Sequence, residues 1–348
     1  MELAKSIWPR SGGDAGNTAR SDRAGPSRGE VAWRVELPPR ALVRHARRGV
    51  VVGEDGLLRA VANGWLVGVE LGVGIRWATR IDDPDCCSLP TALADGTTVL
   101  GTSRGMALHG CSGELLRFIP SELPLDDSGS SPAVTRGGAL LATCPTGELL
   151  RLEGEAWVAV GDYGYDLVPP ALFADDTLAV AGYAGAGYCR VRLDGQRVWR
   201  TELKDADLLP VVSSRQDSAA GSVNDEVTHF YREDGARLGV YPRAAIVSEH
   251  PSGWAALSDG ELALLDPGGA PLWTRPLAFE RRGWGVQQAI VDGAGNLYAP
   301  TARGVVSFAA DGRERFATEL EGARGSALAL VEEGAFALFA GDALLILR

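Results

Sequence analysis

One short apolar run, rich in β-forming residues, returns along the whole of this chain. Each copy ends in a turn bearing Gly or Asp and is followed by a second, alternating run. The copies are Val50–Gly53, Thr97–Thr102, Ala139–Thr143, Leu178–Gly182, Ser218–Ser222, Gly253–Ser258, Asn296–Thr301 and Ala335–Gly341. Their turns lie near Gly56, Gly105, Gly147, Gly187, Asp225, Gly260, Gly304 and Asp342. A period of about 40 residues is the length of four short strands with four turns, repeated as blades around a ring. The 45 glycines and 19 prolines supply that many turns, and 45% apolar residues suffice for a sizeable core.

A second signal runs in phase with the first. The last strand of a unit carries a large ring four places after a glycine, as in Gly29/Trp33, Gly195/Trp199, Gly269/Trp273 and Gly312/Phe316. Looser copies carry Trp77, Phe118 and Trp157, and the Asp234-Gly235 copy has Gly239 where the ring belongs. A ring at one fixed place per unit predicts packing between neighbouring blades. Seven units read as complete, from Ala41 to about Leu320, whereas the last, Ser326 to Arg348, supplies three strands. The missing strand stands at the other end, in the run GEVAWRVEL from Gly29 to Leu37. Pairing it with the last unit leaves no open ladder. The expectation is an all-β, eight-bladed β-propeller of four-stranded antiparallel blades, one domain over 29–348. Residues 1–28 are polar and are expected to be mobile or draped on the surface.

The run GNLYAPTARGVVSFAADGRERFATEL, Gly295 to Leu320, resembles a PQQ-like propeller repeat, and WPRSGGDAGNTARSD, Trp8 to Asp22, resembles the segment that leads into such propellers. The resemblance covers essentially the whole chain. It implies the fold and says little of function, since the family includes quinoprotein dehydrogenases, propellers of outer-membrane assembly lipoproteins and proteins with no known ligand. Cys86-Cys87 resembles the adjacent cysteine pair beside the cofactor in quinoprotein alcohol dehydrogenases. Those enzymes are longer and exported, and their calcium-binding Glu/Asn/Asp set has no counterpart here. No cofactor is expected, PQQ included.

Net charge is −11, which disfavours a nucleic acid partner. Lys5 and Lys204 are the only lysines, an arginine bias typical of high-GC bacterial genes. Residues 1–30 contain no apolar leader and no run is long enough to span a bilayer, so the expected location is cytoplasmic, with no membrane partner. Five cysteines without a C-x-x-C pair, and four scattered histidines, give neither a disulfide framework nor a zinc or other metal site. Ser-His-Asp, G-x-S-x-G and P-loop patterns are missing.

In a four-stranded up-and-down blade, the loops between blades and the turns joining second to third strands share one face, the funnel around the central channel. One side of it is acidic: Asp82, Asp83, Asp85, Cys86 and Cys87, then Asp126 and Asp127, then Asp162, Tyr163, Tyr165 and Asp166, then Asp205 and Asp207. Across the ring lie Glu280, Arg281, Arg282, Trp284, Gln287 and Gln288. Such a rim suits a basic peptide, a protein partner or a small polar ligand. The alternative is a PQQ-independent enzyme acting on a small molecule in the same funnel. Its acid–base candidates are Asp85, Asp162, Tyr163 and His45. His109 and His229 fall on third strands, where alternation places them between blades, and His250 lies near a turn on the opposite face.

Overall fold

The computed structural model describes residues 1–348 apart from 11, 40–47, 82–87, 126–130, 166, 184–186, 202, 204, 280–286 and 324–326. Its strands form eight four-stranded antiparallel sheets arranged as the blades of a ring. Seven blades follow chain order, each with strands A to D from the axis outwards: 49–80, 91–120, 133–162, 171–200, 211–241, 245–276 and 290–319. The eighth takes strands A to C from 329–347. Its strand D is Val31–Glu36, which pairs antiparallel with Ala343–Leu347. Among the described residues there is no helix, and so none that could cross a membrane.

Each strand's sequence suits its radius. Strand A stands where the blades converge and is only two residues long in five of them, as in Thr91–Ala92 and Val211–Val212. Strand B is covered on both faces by neighbouring blades. Leu178–Gly182, Ser218–Ser222 and Ala335–Ala340 are buried throughout, and their small residues fit a narrow gap. Strand D meets solvent, so Gly74–Arg80 and Pro271–Pro276 alternate in burial. The first copy of the repeat is out of phase. Val50 lies in strand A, Gly49–Val52, and strand B of that blade is Leu58–Ala62. This strand A is four residues long and as apolar as a strand B, which is why the pattern registers on it.

The rings of strand D join blade to blade. Trp273 Nε1–H donates to Ala310 O at 2.9 Å, and Trp199 Nε1–H to Glu233 O at 2.9 Å, in each case on the C–D turn of the next blade. Gly312 and Gly235 in those turns have φ of +81° and +85°, and an added Cβ would lie 2.9 and 2.8 Å from the indoles. Glycine therefore serves the turn and the contact together. Where Gly239 replaces the ring, the turn of blade 6 settles onto bare backbone. A Cβ at Gly239 would come within 1.7 Å of Gly268 O. Phe230, the cross-strand partner of Gly239, packs on Gly269 and lies 5.5 Å from Trp254, filling the gap from strand C.

Most described residues of 1–28 pack into the ring and are not draped over the outside. They cross the channel at the end where strand A turns into strand B. Trp8 is 3% exposed, and Arg10 and Asn17 are 0% exposed. The segment meets every blade in turn. Val52 N–H donates to Trp8 O, Ala4 N–H to Ala92 O, Leu172 N–H to Ala15 O and Val212 N–H to Gly16 O. Glu249 N–H donates to Thr18 O, Val291 N–H to Ala19 O and Gly334 N–H to Ala24 O, while Arg10 reaches Ser131 O in blade 3. The ends of the inner strands have unpaired backbone groups, and an extended polar segment satisfies them where water would otherwise be needed.

Candidate functional site

The channel is polar because proline opens several inner strands. Proline has no N–H and restricts the residue before it, so carbonyls at Ser131, Pro169, Pro170 and Pro210 stand outside the ladders. Side chains of the leading segment answer them. Arg10 Nη1 donates to Pro170 O at 3.2 Å and Nη2 to Ser131 O at 3.1 Å. Asn17 Nδ2 donates to Pro169 O and Pro210 O at 3.2 and 3.1 Å. Gln288 Nε2 donates to Asn17 O and Val247 O, both at 2.8 Å. Burial pushes the Arg10 guanidinium down to about 10, against the pull of Asp14. A cavity of about 460 Å³ lies alongside, lined in part by Asp14, Arg20, Arg136, Ser214 and Glu249. Its carboxylates are engaged. Glu249 accepts from Arg20 at 2.9 Å and from Ser214 N–H at 3.0 Å, and Asp14 accepts from Gly16, Thr18 N–H and Thr18 Oγ. Burial raises the Asp14 pKa above the usual carboxylate range, with Glu249 adding to it.

At the opposite end, three contacts tie the inter-blade loops to the B–C turns. Tyr165 and Tyr183 exchange backbone hydrogen bonds at 3.1 and 2.9 Å, Asn224 donates to Asp205 at 3.4 Å, and Val223 N–H donates to Asp207 at 2.8 Å. The two sets of loops therefore share the expected face. Of the candidate residues, His45, Asp82, Asp83, Asp85, Cys86, Cys87, Asp126, Asp127, Asp166, Glu280, Arg281, Arg282 and Trp284 lie outside the described residues. Tyr165 and Tyr183 stand on this face, 61% and 37% exposed. Asp162 accepts Gly164 N–H at 3.1 Å. Tyr163 is buried, with Arg197 5.7 Å from its ring, and burial pushes its hydroxyl up to about 12. Asp207 is buried against its turn, Gln287 is half-buried, and Gln288 is turned into the channel. Of the described candidates, Tyr163 and Asp207 are therefore buried and Tyr165 is presented on the face.

Among the histidines, His109 Nδ1 lies 3.1 Å from Gly113 O, and His250 Nε2 lies 3.0 Å from Gly295 O across to blade 7. Both serve packing. His229 is different. It lines a groove of about 510 Å³ between blades 4 and 5 with Tyr231, Arg237, Arg200, Thr201 and Asp225. Spacing hid this group. His229 and Tyr231 share a face two residues apart on strand C, Arg237 is the strand D partner of Tyr231, and Arg200 comes from the neighbouring blade. Period-2 alternation at His229 was the only available signal.

No protein-family model matches the chain, and no curated protein matches it in sequence. Solved structures do match. BamB from Moraxella catarrhalis superposes with a TM-score of 0.64 at 15% identity, over 92% of this chain and 99% of that one. The quinohemoprotein alcohol dehydrogenase ADHIIG from Pseudomonas putida HK5 gives 0.69 at 11% identity, over 99% of this chain and 80% of that one. A streptogramin B lyase gives 0.56 at 9% identity, over 91% and 97%. The shared feature is the PQQ-like propeller fold. Identities this low carry the fold and no activity.

Proposed function

We propose that this chain is a non-catalytic binding propeller that holds a basic peptide or protein segment on its funnel face. One observation carries the reading: the ring already holds a peptide segment, its own residues 1–28, through backbone hydrogen bonds from blade after blade. That segment covers one end of the channel, which leaves the face of inter-blade loops and B–C turns for a partner. The described part of that face offers the exposed rings of Tyr165 and Tyr183 beside Asp162 and Asp205. A chain of net charge −11 attracts cationic segments over a Debye length of about 8 Å. Asp162 and Asp207 accept backbone N–H groups there, so both help to hold the turns of that face in place.

Fluorescence anisotropy with short labelled peptides, rich in Arg and aliphatic residues or in Glu and aliphatic residues, tests this. The basic set is expected to bind and the acidic set not. Binding should fall about tenfold in the double variant Tyr165→Ala/Asp205→Arg and weaken as salt rises. Equal binding of both sets, or binding indifferent to the double variant, contradicts the reading.

A further inference from the structure

Beyond the peptide face, and independently of it, we propose that the groove between blades 4 and 5 binds a phosphate-type oxyanion.

Strand D of blade 4 is short. Arg197–Arg200 has four residues where Gly74–Arg80 and Ala156–Asp162 have seven, and the groove opens beside its end, at Arg200, Thr201 and Leu203. Alternation on strand C of blade 5 turns Val227, His229 and Tyr231 towards the gap, and cross-strand pairing sets Arg237 beside Tyr231. Arg200 and Thr201 approach from the facing wall. Hydrogen-bond donors thus enter from strands C and D of one blade and from strand D of the next. Donors arriving from two separate walls can reach different oxygens of one oxyanion.

The donors are poised. The Tyr231 hydroxyl lies 2.9 Å from His229 Nδ1. When it donates there, the neutral imidazole carries its proton on Nε2, a donor left for the groove. Arg237 has no ion-pair partner among the described residues, although the chain as a whole is acidic. The carboxylate in the groove, Asp225, is drawn back to its own turn, bonded to Ser222 Oγ at 3.1 Å. Burial and then the Arg237 guanidinium lower the His229 pKa, against the pull of Asp225. The pull of Asp225 therefore only partly offsets burial and the Arg237 guanidinium at the imidazole. A bound dianion would reverse that balance and raise the His229 pKa, so binding takes up a proton where the imidazole titrates.

The test is NMR of the His229 ring in the full chain, its resonance assigned by loss in His229→Gln. Inorganic phosphate is titrated at constant ionic strength and several pH values. The expected result is a saturable shift, a higher His229 pKa with phosphate present, and affinity at least tenfold weaker in Arg237→Gln with an unchanged melting temperature. A shift that does not saturate, equal effects from acetate or chloride, or undiminished binding by Arg237→Gln overturns the proposal. None of these outcomes bears on peptide binding at Tyr165.

Discussion

At Trp273 a single side chain performs two tasks. Its ring lies against Gly312 and its Nε1–H satisfies Ala310 O on the next blade. Trp273→Ala removes both, and large-to-small changes of this kind cost about 3–5 kcal/mol. Urea denaturation should show that loss, while Trp273→Phe, keeping most of the ring contact, should lose about 1–2 kcal/mol. Asp292 offers a pH-dependent counterpart. Burial pulls its carboxyl up, but donors from Asn296, Gly25 and Tyr298 outweigh that and hold it below the ordinary range. A lowered folded pKa contributes stability that is present above the unfolded value, about 4, and lost as pH falls through the folded value. Wild-type denaturation midpoints should therefore drop on acidification below about pH 4, and Asp292→Asn should start lower and show a flatter decline. An equally steep decline in the variant would place the acid sensitivity elsewhere. The aromatic positions were legible in sequence because four of them follow a glycine by the same count and the looser copies fall in the same place of the repeat. The substitute at Gly239 was not, because Phe230 reaches it across the ladder and not along the chain.

Among elements, strand Val31–Glu36 and the segment before it make separable contributions. The strand covers the edge of Ala343–Leu347 and supplies Trp33 to the core around the eighth blade. Deleting residues 29–37 bares that edge and should abolish cooperative melting or cause aggregation. Truncation of residues 1–28 leaves the ring closed but strips donors from the carbonyls of Ser131, Pro169, Pro170 and Pro210. Each buried acceptor left without a partner costs about 1–3 kcal/mol. Circular dichroism of the truncated chain should keep its β-sheet signal with a lower melting temperature. An unchanged melting temperature would mean that water replaces the segment at no cost. Strand pairing at the closure could be read in sequence as a count of strands, three at one end and one at the other. The path of residues 1–28 could not, since all its partners are remote in the chain and its own pattern is polar and aperiodic.

For the whole molecule, repetition made the architecture readable and left the sites obscure. A propeller repeats its turns and rings at nearly constant spacing, so eight imperfect copies reinforce one another. A binding surface is assembled from one or two residues of each copy, and these are the positions where copies differ. Composition foretold an acidic funnel, yet Tyr163 and Gln288, adjacent in sequence to residues on that rim, turn inward. The groove at His229 was equally hidden, because it is assembled from two blades and not from any motif.

The path of the first 36 residues also sets an order of events during synthesis. They are made before the blades, yet part of the surface they occupy is completed last: Trp8 docks on the first blade, but Ala24 needs the turn at Gly334 and Val31–Glu36 needs Ala343–Leu347. At about 5–20 residues per second, some tens of seconds separate the emergence of this segment from that of its final partner. Throughout that interval it must remain extended and uncommitted. The polar, glycine-containing composition of residues 1–28, which conceals their place in the fold, also allows them to wait without aggregating.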